Sequence, residues 1–241
     1  MRVAVLSDIH GNLTALEAVV ADLKTIGADL VVHGGDLVAN GARPAQVVDI
    51  IREFGWPGVC GNTDEMLWRP ELLAELELKA PAKQGLRRVL FNDIAPATRE
   101  LLGDNRVTWL RRLPMQWASH GIAVVHASPD DLWRAPLAHA SDDDLLTVYG
   151  RLRSATVVYG HIHRPFVRTL ERLAIANTGS IGLPYDGDKR ASYAVVEDAT
   201  VFIRRVEYDF EREARELLTN HYPHAEWLAS ILRTARYHPP S

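Results

Sequence analysis

Three short apolar runs, at residues 3–6, 30–32 and 58–60, are separated by two long amphipathic patterns, and this alternation constrains the fold more than any other feature. The first pattern covers about Leu13 to Ile26, with apolar positions at Leu16, Val19, Val20 and Leu23. The second begins near Pro44 and carries Val47, Val48, Ile50 and Ile51. Proline suits a first helical turn, where its missing N–H costs nothing. Strand, helix, strand, helix, strand reads as parallel strands joined by helical crossovers.

After Glu65 the pattern turns mostly helical as far as about Leu113, with breaks expected at Pro81 and Pro96. Strands are then expected at residues 115–119, 122–125, 155–159, 166–170, 173–177, 192–197 and 201–206. Links as short as His120-Gly121 and Asp198-Ala199 read as hairpins. The chain turns helical again from Asp209 and ends in H-P-P-S, expected to fray. There is no repeat and no convincing linker. The expectation is one domain over residues 1–241 with a mostly helical insert at about 65–113, and 241 residues suffice for a substantial core.

Five of the apolar runs finish on side chains that can ligate a metal. V-A-V-L-S-D-I-H ends on Asp8 and His10, L-V-V-H-G-G-D on Asp36, and G-V-C-G-N on Asn62. I-A-V-V-H ends on His126, and T-V-V-Y-G-H-I-H on His161 and His163. Ligands of open α/β sheets bind at the carboxyl ends of strands, so these seven side chains are candidates for one shared edge. Asp36, Asn62 and His161 each follow a glycine, which permits unusual φ and close backbone approach. The set offers imidazole, carboxylate and amide but no sulfur, a mix that suits zinc, manganese, iron or nickel. Seven ligands exceed one tetrahedral ion but suit two divalent transition-metal ions sharing a carboxylate, about 3.5–4 Å apart. Taken singly, each residue has a plainer use: Asp8 could cap the helix beginning near Asn12. It is the conjunction that points to a metal centre. His33, His120, His139, His221, His224 and His238 fit no such pattern and are expected at the surface or locally hydrogen-bonded.

Other classes are set aside by composition. One cysteine, Cys60, excludes an internal disulfide and a thiolate cluster and suits a reducing compartment. A net charge of -4 gives no argument for nucleic-acid or anionic-membrane binding. The first apolar run is too short for a signal peptide, and no run of eighteen uncharged apolar residues exists to span a membrane. A cytoplasmic location is expected. Nothing in the composition separates a monomer from a dimer.

In order and spacing the motifs resemble those of the calcineurin-like metallophosphoesterase family: D-I-H at 8–10, G-D at 35–36, G-N-T-D at 61–64, H-A-S at 126–128 and G-H-I-H at 160–163. The resemblance implies an α/β fold, a four-layer α-β-β-α sandwich with two facing mixed β-sheets. It implies one metal site from Asp8, His10, Asp36 and His163, and a second from Asp36, Asn62, His126 and His161, with Asp36 bridging. The implied activity is dinuclear-metal-dependent hydrolysis of a small phosphoester by a metal-bridging hydroxide. Asp36 and Asn62 are then the candidate catalytic residues, with Asn62 also a candidate substrate-binding residue; Arg43, in V-A-N-G-A-R-P soon after Asp36, is a second substrate-binding candidate that could fork onto a phosphate or else pair at the surface.

Thr63 departs from the pattern, because many members of the family carry histidine there as a phosphate ligand and acid for the leaving group. In lacking it the chain is similar to the small prokaryotic phosphodiesterases of the family, which favours a diester. The alternatives are a phosphomonoesterase, either a nucleotidase or a serine/threonine protein phosphatase, and a non-catalytic binding module on the same fold. Further residues stand near the motifs. Trp133 with Asp130 or Asp131 could wall the cleft, and the insert, with Trp68 and Trp109, could form a lid. The glycine-rich stretch 177–190 could border the metals, with Asn177 and Arg190 behind the ligands.

Overall fold

In the computed structural model, which describes residues 1–170 and 172–240, β1 (Arg2–Leu6) sends Val3 and Val5 into one buried cluster and Ala4 and Leu6 into another. Successive side chains alternate sides, so an unbroken apolar run requires a strand dry on both faces. β1 lies parallel to β2 (Leu30–His33). The remaining strands are β3 (Gln116–Ser119), β4 (Ile122–Val125), β5 (Thr156–Tyr159), β6 (Phe166–Leu170), β7 (Leu173–Asn177), β8 (Ala191–Glu197) and β9 (Thr200–Val206). They form two mixed sheets, β2-β1-β8-β9 and β3-β4-β5-β7-β6.

Three apolar clusters separate the layers. Val3, Val5 and Val32 meet Ile122, Val124, Val158 and Ala176 between the sheets. Outside the first sheet lie α1 (Leu13–Ile26) and α2 (Pro44–Glu53), burying Leu16, Val19, Val47 and Ile51. The insert packs into the same cluster through Met66 and Leu67, just past α3 (Asn62–Glu65), and through α4 (Leu72–Lys79), α5 (Gln84–Arg88) and α6 (Ala95–Leu110). Outside the second sheet α7 (Asp142–Tyr149) covers Ala123, Val157 and Tyr159 with Leu145 and Tyr149. The chain closes with α8 (Phe210–Thr219) and α9 (Ala225–Thr234), back on the first helical layer. This is the four-layer sandwich that the motifs imply. No helix of the described residues is long and apolar enough to cross a membrane.

Two local expectations change. Residues 58–60 do not form a strand but make a single parallel bridge between His33 and Gly58. Pro57 has no N–H to donate, so its carbonyl alone, with that of His33, serves the pairing before the chain turns into α3. Pro96 does not break the insert. It is the second residue of α6, and a π-helical turn over Val89–Ile94 leads into it from α5. The kink falls instead at Gly103. The expected fraying of the last residue, Ser241, lies outside the described residues.

Candidate metal centre

All seven candidate residues lie just past the ends of strands or of the His33–Gly58 bridge, and the fold brings them to one edge of the sandwich. The pairing of β1 with β2 is carried on by the loops, with Asp8 N–H donating to Gly35 O and His10 N–H to Asp36 O, both at 3.0 Å. Helix α1 does not draw on Asp8. Asn12 Oδ1 accepts from Ala15 N–H at 2.9 Å, so Asn12 is the cap and Asp8 is left to the cluster. Asp8, His10, Asp36, His161 and His163 all have φ between 53° and 65°. Left-handed backbone costs these residue types on the order of 1–3 kcal/mol each, and such strain concentrates at functional sites.

The glycines before three of the seven serve mostly for close approach. Only Gly35 has positive φ, at 84°. A Cβ at Gly61 would strike the backbone nitrogen and Oδ1 of Asp36, and one at Gly160 would strike Ser7 and the Asp8 carboxylate.

Four of the residues, Asp8, His10, Asp36 and His163, offer ligand atoms within 4.8 Å of one another. His163 Nε2 is 3.1 Å from Asp8 Oδ1 and 3.1 Å from His10 Nε2. Asp36 turns its two oxygens to different imidazoles, Oδ2 lying 3.8 Å from His10 Nε2 and Oδ1 3.5 Å from His126 Nε2. On the far side Asn62 Oδ1 is 2.8 Å from both His126 Nε2 and His161 Nδ1.

The tautomers follow from the outer partners. His10 Nδ1–H donates to Ala39 O at 2.9 Å, His126 Nδ1–H to Gly34 O at 2.8 Å, and His163 Nδ1–H to Leu183 O at 2.6 Å. Each of the three Nε2 atoms therefore presents a lone pair inward. In the neutral rings the lone pairs of His10 and His163 face each other. Acceptors set against acceptors without a proton between them repel, and a cation relieves this, so the donor set fits the metal chemistry that the motifs imply. Burial and the His163 imidazole hold His10 down to about 4, while burial and His126 hold His161 to about 3, which keeps both uncharged at neutral pH, as a metal ligand must be. Burial works against ionising Asp8, but the imidazoles of His163, His126 and His10 together outweigh it and the carboxyl stays well below its ordinary range. Burial lowers His126 as well, yet Asp36 and Asp8 outweigh it and the imidazole is raised.

Around these residues lies a second set of contacts. Asp64 accepts from the backbone N–H groups of Asp36 and Leu37 at 2.9 Å and of Gly61 at 3.0 Å. Thr63 N–H donates to Asp36 Oδ1 at 2.8 Å, and its buried hydroxyl has no partner among the described residues. The glycine-rich stretch does border the cluster: Ser180 Oγ donates to Asp8 O at 2.7 Å, and Asn177 Nδ2 to Gly160 O at 2.5 Å. Arg190 is instead paired with Asp188 at the surface.

Arg43 does not join the cluster. Its guanidinium, partly buried, donates to the buried Glu213 carboxylate of α8 and to Thr14 at 2.5 Å. Trp133 donates to Glu65 and stacks on Phe91, Asp131 accepts from Trp133 N–H, and Asp130 pairs with Arg151. Trp68 and Trp109 pack on the helical core. His33, expected at the surface or hydrogen-bonded, is fully buried with neither ring nitrogen partnered among the described residues, and burial holds it down to about 4.

His10, Asp36, Asn62, His161 and His163 line a cleft of about 690 Å³. Its other walls come from the insert (Leu86, Leu90), the loop at His139, and the C-terminal segment (Trp227, Tyr237). The C-terminal contribution carried no motif; the aromatic and proline content of the tail was its only sign.

A sequence model of the calcineurin-like phosphoesterase superfamily domain matches residues 1–200. The uncharacterized protein MJ0912 of Methanocaldococcus jannaschii is 31% identical over 257 residues, covering 97% of this chain and 98% of that protein. A metallophosphoesterase from Sphaerobacter thermophilus, of solved structure, is 27% identical with a TM-score of 0.78, covering 98% of this chain and 100% of its own. The hypothetical protein PH1004 from Pyrococcus horikoshii OT3 has the same fold, with 21% identity, a TM-score of 0.82 and coverage of 98% and 99%. With the domain matched over most of its length, the chain belongs to the calcineurin-like phosphoesterase superfamily.

Proposed function

We propose that this protein is a dinuclear-metal phosphoester hydrolase that prefers diesters. The observation that carries the reading is the divided geometry of Asp36, one oxygen facing His10 and the other facing His126. Asp8, His10, Asp36 and His163 would hold one ion, and Asp36, Asn62, His126 and His161 the other. Manganese, iron, zinc and nickel all suit this donor set. When bound, two such ions bring the pKa of water toward neutrality and offset charge on the phosphoryl oxygens.

The chain's own residues supply orientation and polar contacts. Three backbone carbonyls hold the Nδ1–H groups of His10, His126 and His163 outward, which turns each Nε2 toward the cluster. Asn62 turns its oxygen to His126 and His161, which leaves its NH₂ to donate to a phosphoryl oxygen. In the reaction a water oxygen bonds to phosphorus, the ester P–O bond breaks, and the departing oxygen takes a proton. Thr63 cannot deliver that proton as an imidazole would. Loss of a general acid costs typically 10²–10⁴-fold, most for poor leaving groups, so the preferred ester has an alcohol that leaves readily.

The test is hydrolysis of bis-p-nitrophenyl phosphate beside p-nitrophenyl phosphate, with manganese, nickel, zinc or iron supplied. Diester turnover is expected to exceed monoester turnover and to fall at least 10³-fold in Asp36→Asn. Monoester preference would turn the assignment to a phosphatase. No turnover with any metal, while ions still bind, would turn it to a binding module.

A further inference from the structure

The cleft extends well past the candidate ligands. At about 690 Å³ it far exceeds a phosphoryl group and falls in the range of sites for whole organic ligands. An aromatic surface starts at a candidate ligand and leads away from it. The Tyr185 ring stacks on the His163 ring at 4.3 Å and 21°, and the Tyr237 ring lies 5.5 Å from that of Tyr185. A second apolar surface in the same cleft comes from Leu86 and Leu90 of the insert.

The aromatic surface is built in advance. Tyr185 N–H donates to His163 O at 3.1 Å, so its position is tied to the ligand loop. The tail that carries Tyr237 is pinned by Gly187 N–H to Ala235 O and by Trp227 Nε1–H to His238 O, both at 2.8 Å. Tyr237 nonetheless keeps 40% of its surface exposed. A part-exposed ring on a pinned stretch of backbone, next to a polar cluster, can stack on a flat ligand at little entropic cost. Tyr237 lies after residue 200, where the match to the superfamily domain stops, while Tyr185 and Leu86 lie within it.

We infer that the substrate is a small organic phosphoester bearing a planar aromatic or heteroaromatic group, which stacks on Tyr185 and Tyr237 against Leu86 while the phosphoryl faces the Asp–His cluster. The phosphoryl end of this inference rests on the phosphoesterase reading; the aromatic end does not. An aromatic alcohol is also a good leaving group, in keeping with the missing acid at Thr63.

The probes are phenylphosphonate and methylphosphonate, which share an anionic head but carry no ester to hydrolyse. Their binding is measured by titration calorimetry on the metal-loaded protein. Phenylphosphonate is expected to bind about tenfold tighter. Tyr237→Ala and Leu86→Ala should each cut that ratio to about threefold or less with methylphosphonate affinity unchanged, whereas Tyr237→Phe should keep it. A ratio near one in the unaltered protein, a ratio that survives both alanine variants, or no binding of either probe overturns the inference. If the ratio holds while bis-p-nitrophenyl phosphate is not hydrolysed with any metal, the aromatic site stands and the phosphoesterase reading falls. Diester hydrolysis with a ratio of one means the reverse.

Discussion

Asp64 ties the two loops that carry Asp36 and Asn62. Its carboxylate gathers the N–H groups of Asp36, Leu37 and Gly61, residues that meet only because the end of β2 and the start of α3 lie side by side. Burial and the neighbouring Asp36 carboxylate push it up to about 7 against the pull of those amides. With Thr63 rather than a histidine beside it, Asp64 serves the loops through these backbone contacts. Asp64→Asn keeps the volume but aims an NH₂ at backbone donors. Manganese affinity, read by competition with a chelating dye, should fall about 10–100-fold, as when outer partners of metal ligands are lost. An unchanged affinity would show that Asp64 does not position Asp36.

At the scale of elements, the Arg43–Glu213 pair joins the start of α2 to α8, and Thr14 of α1 donates to the same Glu213 oxygen at 2.8 Å. Glu213 is 1% exposed, and burial raises its pKa even though Arg43 and Thr14 oppose the shift. Attraction thus falls short of the desolvation cost. Removing one partner should therefore be much worse than removing both. Glu213→Ala leaves the largely buried guanidinium with no opposite charge, only the Thr14 hydroxyl, and should cost about 3–5 kcal/mol in urea unfolding, whereas Arg43→Met with Glu213→Leu should cost about 1 kcal/mol or less. Equal losses would mean that the pair is a net stabiliser. The same contact explains why Arg43, which by its place after Asp36 is a fair candidate for a phosphate ligand, is turned away from the cleft.

Across the whole molecule the candidate ligands come from both sheets: Asp8, His10, Asp36 and Asn62 from the first sheet and its extension, and His126, His161 and His163 from the second. An ion bound among them clamps the sheets at one edge, and binding to the folded state alone stabilises by about 4 kcal/mol at a thousandfold excess over Kd. For a chain of this size, chelation should then lower Tm by roughly 8–16 °C in scanning calorimetry, and added manganese should restore it. A Tm indifferent to chelator would mean that no ion bridges the sheets in the protein as prepared.

How much of this was legible beforehand depends on the range of the interaction. Helix α1 could be read to its ends, because its apolar period runs from Leu13 to Ile26 and Gly27 in the left-handed region stops it. The run at 58–60 looked like a strand, because composition alone does not reveal that Pro57 leaves it one bridge long. The seven polar residues at the run ends, their chemical types and their order are properties of the linear chain, and so is the family they point to. Tertiary structure decided which imidazole nitrogen faces inward, since the carbonyls that settle it belong to Ala39, Gly34 and Leu183, 29, 92 and 20 residues away from the histidines they bind. It also decided that Asn12 rather than Asp8 caps α1, that Arg43 faces Glu213, and that the C-terminal tail walls the cleft. Such contacts follow from how layers stack, and neither a period of 3.6 nor one of 2 carries that information.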